Sequence, residues 1–228
     1  MTCHCCAPPG GSGPSALDVF FTRRSARYLR RFRKRGLARE QKLLLRGIGE
    51  IPPGGWSVLE IGCGIGALVL HLLRAGATTA TLIDAAAGMI RNAGLLLSDS
   101  GYAGRADLIT GDFLEVGAGV APADIVVLDK VVCCYGDIDR LLDLSLSKTR
   151  QLCALTWPRD LFSLRAAAAM LQLLARLLGW KFHPFWHDWK SMRGSILAAG
   201  FSPVYEGNAG VWSVGVFRRT HPPTLPVT

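Results

Sequence analysis

The sequence predicts an α/β fold: a seven-stranded, mostly parallel sheet with helices on both faces, a final antiparallel hairpin and an N-terminal helical extension. Three observations carry this. From Trp56 onward, short strand-like runs alternate with helical periods. One run, WSVLEIGCGIGA from Trp56 to Ala67, breaks into glycines and then opens a helix. Acids close the strands that follow, at Asp84, Asp112 and Asp129.

The chain has 228 residues, half of them apolar, which suits one domain with a full core. No apolar run reaches the roughly 18 residues that a membrane helix needs; the longest, Ala166 to Leu178, is broken by Gln172 and Arg176. The start, MTCHCCAPPGGSGPS, lacks the charged and apolar regions of a signal peptide. A cytoplasmic protein is expected, with its seven cysteines as thiols or ligands rather than disulfides.

Residues 1–15 read as a flexible arm rich in Cys, Gly and Pro. Cys3-His4-Cys5-Cys6 offers four soft ligands in four residues, which is half of a structural metal site, so no metal is assigned. Residues 16–54 form the helical extension. Asp18 is placed to cap a helix running to about Arg35, with Gly36 ending it. Phe20, Phe21, Tyr28, Leu29 and Phe32 make its apolar stripe. From Arg23 to Arg46 there are eleven Lys or Arg residues against one acid, Glu40, a local charge of +10 where the whole chain carries +9. That face is either solvated or a lid whose arginines meet an anion. A second helix spans about Ala38 to Ile48, ahead of the break Ile51-Pro52-Pro53-Gly54-Gly55.

The main domain, residues 55–220, then alternates. Strands are expected at Ser57–Ile61, Thr79–Ile83, Ala106–Thr110, Asp124–Leu128 and Gln151–Thr156. Helices are expected near Ala67–Ala75, Ala87–Ser98, Asp137–Ser147, Leu161–Leu178 and Lys190–Ala199. The last two strands, Ser202–Glu206 and Val211–Arg218, are joined through Asn208 and Gly210 as a hairpin. Residues 221–228 read as a loose tail.

The glycine turn alone is ambiguous, because Gly62-x-Gly64-x-x-Ala67 also satisfies a loose dinucleotide fingerprint. Glu60 before the first glycine, the added Gly66, and Asp112-Phe113 after the third strand narrow it. On VLEIGCGIG, Asp84 and Gly111-Asp112-Phe113, residues 55–218 resemble the class I S-adenosylmethionine-dependent methyltransferases, a Rossmann-like family. The resemblance implies S-adenosyl-L-methionine as cofactor. Glu60, Gly62, Cys63, Gly64 and Gly66 would form its amino-acid cradle, although the side chains of Cys63 and Cys153 read as packing. Asp84, with Ala85 beside it, would accept from the ribose hydroxyls. Asp112 would accept from the adenine amino group, Phe113 or Met89 would pack on the ring, and Asp129 would close the site.

In such sheets ligands lie beyond the carboxyl ends of the strands. The acceptor should therefore meet Asp129-Lys130-Val131-Val132-Cys133-Cys134-Tyr135 and Trp157-Pro158-Arg159-Asp160. An Asn-Pro-Pro-Tyr motif, which would mark amino-group methylation, does not occur in the chain. Candidate bases are Asp129, Tyr135, His183 and His187; His71 reads as structural. Candidate acceptor contacts are Phe20, Tyr28, Lys130, Cys133, Cys134 and Arg159. The Phe20 and Tyr28 helix and the Asp129 region before a Tyr also resemble the magnesium-protoporphyrin O-methyltransferase branch, which esterifies a carboxylate. Three functions follow: O-methylation of a small anionic molecule; methylation of a thiol or a metalloid such as arsenic or selenium through Cys133, Cys134 and the N-terminal cysteines; or RNA binding by the arginine helix. Few aromatics interleave with those arginines, so nucleic acid is not the expected partner.

Overall fold

The computed structural model describes residues 16–49, 55–178 and 184–220. Cys3-His4-Cys5-Cys6, His183, the Pro52-Pro53 break and the 221–228 tail lie outside the described residues. Parallel strands β1 (Ser57–Ile61), β2 (Thr79–Asp84), β3 (Ala106–Thr110), β4 (Ala123–Leu128) and β5 (Thr149–Pro158) are followed by β6 (Phe201–Ala209) and β7 (Trp212–Arg219). The order across the sheet is β3-β2-β1-β4-β5-β7-β6, and β7 pairs antiparallel with both β5 and β6. Central strands read as unbroken apolar runs because both faces are covered: Val58, Leu59 and Ile61 of β1 are at most 1% exposed.

One layer holds α1 (Ala16–Thr22), α2 (Ser25–Arg35), α3 (Arg39–Ile48), α4 (Ala67–Arg74) and α5 (Ala87–Asp99). Leu29, Leu44 and Ile48 of the extension share its core with Leu68, Leu72 and Met89. The other layer holds α6 (Phe113–Val116), α7 (Ile138–Ser147) and α9 (Trp189–Ala198), with Phe113, Leu141 and Ile196 buried between helices and sheet. The basic extension is therefore part of the main fold's core. At Gly47 of α3 a Cβ would come within 2.6 Å of the Val216 side chain and 2.8 Å of the Tyr205 ring, so the hairpin's side chains lie directly on the helix backbone.

Three expectations need correction. The helix from Asp18 to Arg35 is two helices, broken at Arg23-Arg24, where the Ser25 hydroxyl donates to the Thr22 carbonyl. Asp18 sits inside α1 and does not cap it. The hairpin turn is Gly210-Val211, with Gly210 at φ 61°, and Asn208 lies within β6. Helix α8 (Phe162–Leu177) has the expected span but shows its apolar residues to solvent: Phe162 is 87% exposed, Leu177 73% and Met170 61%.

Candidate functional site

The carboxyl edge of the sheet opens into one cavity of about 970 Å³, near the top of the roughly 300–1,000 Å³ range usual for small-molecule sites. Its first wall is local. Gly62, Gly64 and Gly66 all take positive φ, which glycine alone adopts without strain. A Cβ on Gly66 would meet Leu82 at 2.9 Å, and one on Gly62 would run into Val131. Above Gly64 nothing stands within 4 Å, so that backbone faces open cavity. Asp84 Oδ2 accepts the Gly64 N–H at 2.8 Å, and its Oδ1 accepts the Ala86 N–H at 2.8 Å. Burial, opposed by those two N–H groups and aided by nearby Asp18, pushes the Asp84 carboxyl up to about 6.

Glu60 is 2% exposed and lines the same wall, and its Oε2 has no hydrogen-bond partner among the described residues. Burial first, then Asp129, moves its carboxyl well above the ordinary carboxylate range, with Val69 backbone opposing and Asp84 adding. An unpartnered buried acceptor above an open glycine cradle suits an ammonium-bearing ligand. Ala85 and Met89 line the cavity beside Asp84, as do Gly111 and Phe113 after β3. Cys63 also lines it, and burial raises its thiol well above the usual range. Asp112 does not line the cavity; its Oδ1 caps α6 by accepting the Leu114 N–H at 2.9 Å.

The second wall is assembled from distant segments. Asp129 ends β4 and lines the cavity, accepting from the Thr156 hydroxyl and the Gln41 amide, both at 2.8 Å. Lys130 follows at φ 62°, a left-handed conformation costly for a side-chain-bearing residue. Its N–H donates to Thr156 Oγ1, and its ammonium lies 2.6 Å from Glu40. Burial alone would lower the Lys130 ammonium, yet Asp129 and Glu40 together raise it. Its charge is thus spent on α3. Sequence reasoning missed Glu40, Gln41 and Thr156, which have no motif spacing.

The remaining candidates separate. Tyr28 and Cys134 line the cavity; Phe20 and Cys133 do not. Phe20 carries the Arg24 guanidinium 3.6 Å over its ring, and Phe21 takes the cavity-facing place. Cys133 is buried, with its Sγ 3.8 Å from the Lys130 carbonyl; the Cys134 Sγ is 3.5 Å from the same oxygen. A hydrogen bond from Cys134 lowers the Cys133 thiol, opposed by burial. Arg159 staples the hairpin, donating to the Gly210 carbonyl at 3.2 Å, and is not a lining residue. Tyr135 lines the cavity on the β3 side, where its hydroxyl accepts the buried Phe113 N–H at 3.3 Å. His187 Nε2 lies 2.9 Å from the Tyr135 carbonyl, outside the cavity lining, and burial lowers its imidazole. His71 bonds the Ala67 carbonyl of its own helix.

Arg31, Arg35 and Arg39 line the mouth, and among the described residues none pairs with a carboxylate. The i, i+3, i+4 spacing of Tyr28, Arg31, Phe32 and Arg35 puts them on one face of α2, a signal present in the sequence. The other arginines of the stretch point elsewhere; Arg33, for one, pairs with Asp99 at 2.6 Å. Phe32, Leu37 and Trp212 supply apolar wall.

Comparisons with known proteins bear on the domain and its fold. A family model described as a methyltransferase domain matches residues 58–146. No curated protein matches the chain. Among solved structures, an O-methyltransferase family protein from Burkholderia thailandensis is 14% identical with a TM-score of 0.69, covering 92% of this chain. This chain spans only 65% of that one. Magnesium protoporphyrin IX methyltransferase from Synechocystis, solved with bound S-adenosylhomocysteine, is 17% identical with a TM-score of 0.65, covering 90% of this chain and 100% of its own. An O-methyltransferase family 2 protein from Planctomyces limnophilus, in complex with apigenin, is 17% identical with a TM-score of 0.63, covering 87% of this chain and 61% of its own.

Proposed function

We propose that the chain, whose residues 58–146 match a methyltransferase domain, is a class I S-adenosylmethionine-dependent enzyme that methylates an oxygen of a small anionic acceptor, a carboxylate above all. One observation carries this reading: the site has cations at its mouth, and among the described residues each base candidate of the sequence is held by another group or lies outside the cavity. Among the described candidates, Asp129 already accepts from Thr156 and Gln41, the Tyr135 hydroxyl accepts from Phe113, and His187 is bonded to a backbone carbonyl outside the cavity. A hydroxyl or ammonium acceptor needs a group to take its proton; a carboxylate does not.

Glu60, Asp84 and the Gly62–Gly66 turn would hold the cofactor, Glu60 Oε2 receiving its ammonium group and Asp84 its ribose hydroxyls. Bound there, S-adenosylmethionine supplies a methyl group on cationic sulfur, which an already anionic acceptor takes without releasing a proton. Arg31, Arg35 and Arg39 offset the repulsion that Asp129 and Glu60 exert on an incoming anion. Phe21, Phe32 and Trp212 exclude water from an apolar body behind the reacting group. A cytoplasmic setting belongs to the same proposal and suits Cys63, Cys133, Cys134 and Cys153, all free thiols.

Radiolabelled methyl transfer tests it. Apolar carboxylic acids should yield esters that mild alkali cleaves, while the matching alcohols and amines stay unlabelled. Turnover of alcohols or amines with none of acids would overturn it. The soft-nucleophile reading has one supporting observation, Cys134 in the lining. Among the described residues, no three metal-ligating side chains gather. Cys133→Ala/Cys134→Ala should therefore keep most of its activity; abolition would favour a thiol or metalloid acceptor.

A further inference from the structure

Helix α5 begins just after Asp84, yet its own cap position is Ala86, with no side chain that accepts a hydrogen bond. The free N–H groups of a first helical turn need acceptors, usually from a Ser, Thr, Asp or Asn at that position. Here they come from elsewhere in the chain. Ala87 N–H donates to Asp18 Oδ1 at 3.1 Å, and Gly88 N–H donates to Thr22 Oγ1 at 2.9 Å. The Thr22 hydroxyl in turn donates to Asp18 Oδ1 at 2.7 Å, which fixes both acceptors. The backbones also meet: a Cβ on Gly88 would stand 2.8 Å from Thr22 Cγ2 and 2.9 Å from Thr22 Cα. Thr22 is the last residue of α1, just before the break, and Ser25 after the break holds its carbonyl at 2.8 Å.

We propose that Asp18 and Thr22 are positioning residues for the cofactor, serving as the missing N-terminal cap of α5 and fixing the segment that carries Ala85, Ala86 and Met89 into the cavity. This rests on the cofactor reading above. Residues 16–25 then act on two ligands at once. Leu17 and Phe21 face the cavity from α1, while Asp18 and Thr22, on the neighbouring stripe of the same short helix, clamp α5. Gly88 is the notch that admits the clamp. It is not itself a lining residue, so a change there reaches the nucleoside only through α5 and α1.

Gly88→Ala gives the decisive test. Alanine is the better helix former, so the substitution favours α5 itself while its methyl drives α1 away. Calorimetric titration with S-adenosylhomocysteine should show at least about tenfold weaker binding than wild type, with helical content by circular dichroism retained. Thr22→Val, which keeps the shape and loses the hydroxyl, should weaken binding about fivefold. Thr22→Ser should restore most of it. Hydrogen exchange on the wild-type protein gives a reading independent of any variant: the Ala87 and Gly88 amides should be protected although they open a helix. Wild-type affinity in both Gly88→Ala and Thr22→Val, or unprotected amides at 87 and 88, overturns the inference. Failure of S-adenosylhomocysteine to bind the wild type would instead overturn the cofactor reading, and this inference with it.

Discussion

Asp84 and Asp129 end the two strands that flank β1, and they are held in opposite ways. Asp84 is gripped by backbone N–H groups of Gly64 and Ala86, 20 and two residues away. Asp129 is gripped by side chains of Thr156 and Gln41, 27 and 88 residues away. The first arrangement depends on a local backbone path and tolerates varied neighbours, provided the glycines stay. The second depends on which side chains the tertiary fold brings across, so it can be reset without touching the first. One wall of the cavity follows from a local backbone path; the other follows from side chains that the tertiary fold brings together.

The largest effect should come from breaking the local wall. Asp84→Ala removes the acceptor of two backbone N–H groups and the proposed ribose contact, and should weaken S-adenosylhomocysteine binding by about 100-fold or more, at about 1.5–3 kcal/mol for each charge-assisted bond. Calorimetry measures it, and wild-type affinity would show that the walls do not differ as described.

A complementary change should move only the other wall. Neutralising Arg31, Arg35 and Arg39 together to Gln should raise the KM of an anionic acceptor about tenfold or more while leaving the affinity for S-adenosylhomocysteine within about twofold. Equal loss for both ligands would merge the two halves into one.

Acidity separates them next. With its carboxyl up near 6 rather than 3.8, Asp84 carries a proton in the free protein below about pH 6. The proposed ribose contact needs the carboxylate, so binding should expel that proton. Through Asp84 alone, affinity should rise by at most tenfold per unit up to about pH 6. Glu60, raised in the same direction, adds to the release. The sign for the ligand-free fold is the reverse: a raised carboxyl costs stability as pH climbs from about 4 to about 6. Titration in two buffers of different ionisation enthalpy would reveal the released proton, and a pH-independent affinity would remove it.

The smallest expected change is Tyr135→Phe. It takes away one acceptor of the Phe113 N–H, worth about 1 kcal/mol, and should lower activity a few-fold. A loss of 1,000-fold would return Tyr135 to the role of base.

The same contrast explains what could be read before folding. The glycine turn, Asp84 and the order of strands and helices announce themselves through short-range spacing, and the structure places them as expected. The β5 and β7 limits moved by one or two residues because strand ends are set by pairing partners. The break at Arg23-Arg24 escaped because the arginines on both sides are good helix formers; what ends α1 is its seat on Gly88. Arg159 and His187 looked like acceptor residues from their neighbours in sequence. Their partners, the Gly210 and Tyr135 carbonyls, are remote and turn both side chains to structural work. Glu40 reads as one acid in a basic run, and only the fold shows it beside Lys130.

The close seat of Gly47 against Val216 and Tyr205 also bears on how the molecule is made. The hairpin that completes the binding surface of residues 39–48 is made some 150 residues after them. At roughly 5–20 residues per second, that leaves α3 without the hairpin for about 8–30 seconds of synthesis. Helix α3 is thus made well before the surface that holds it.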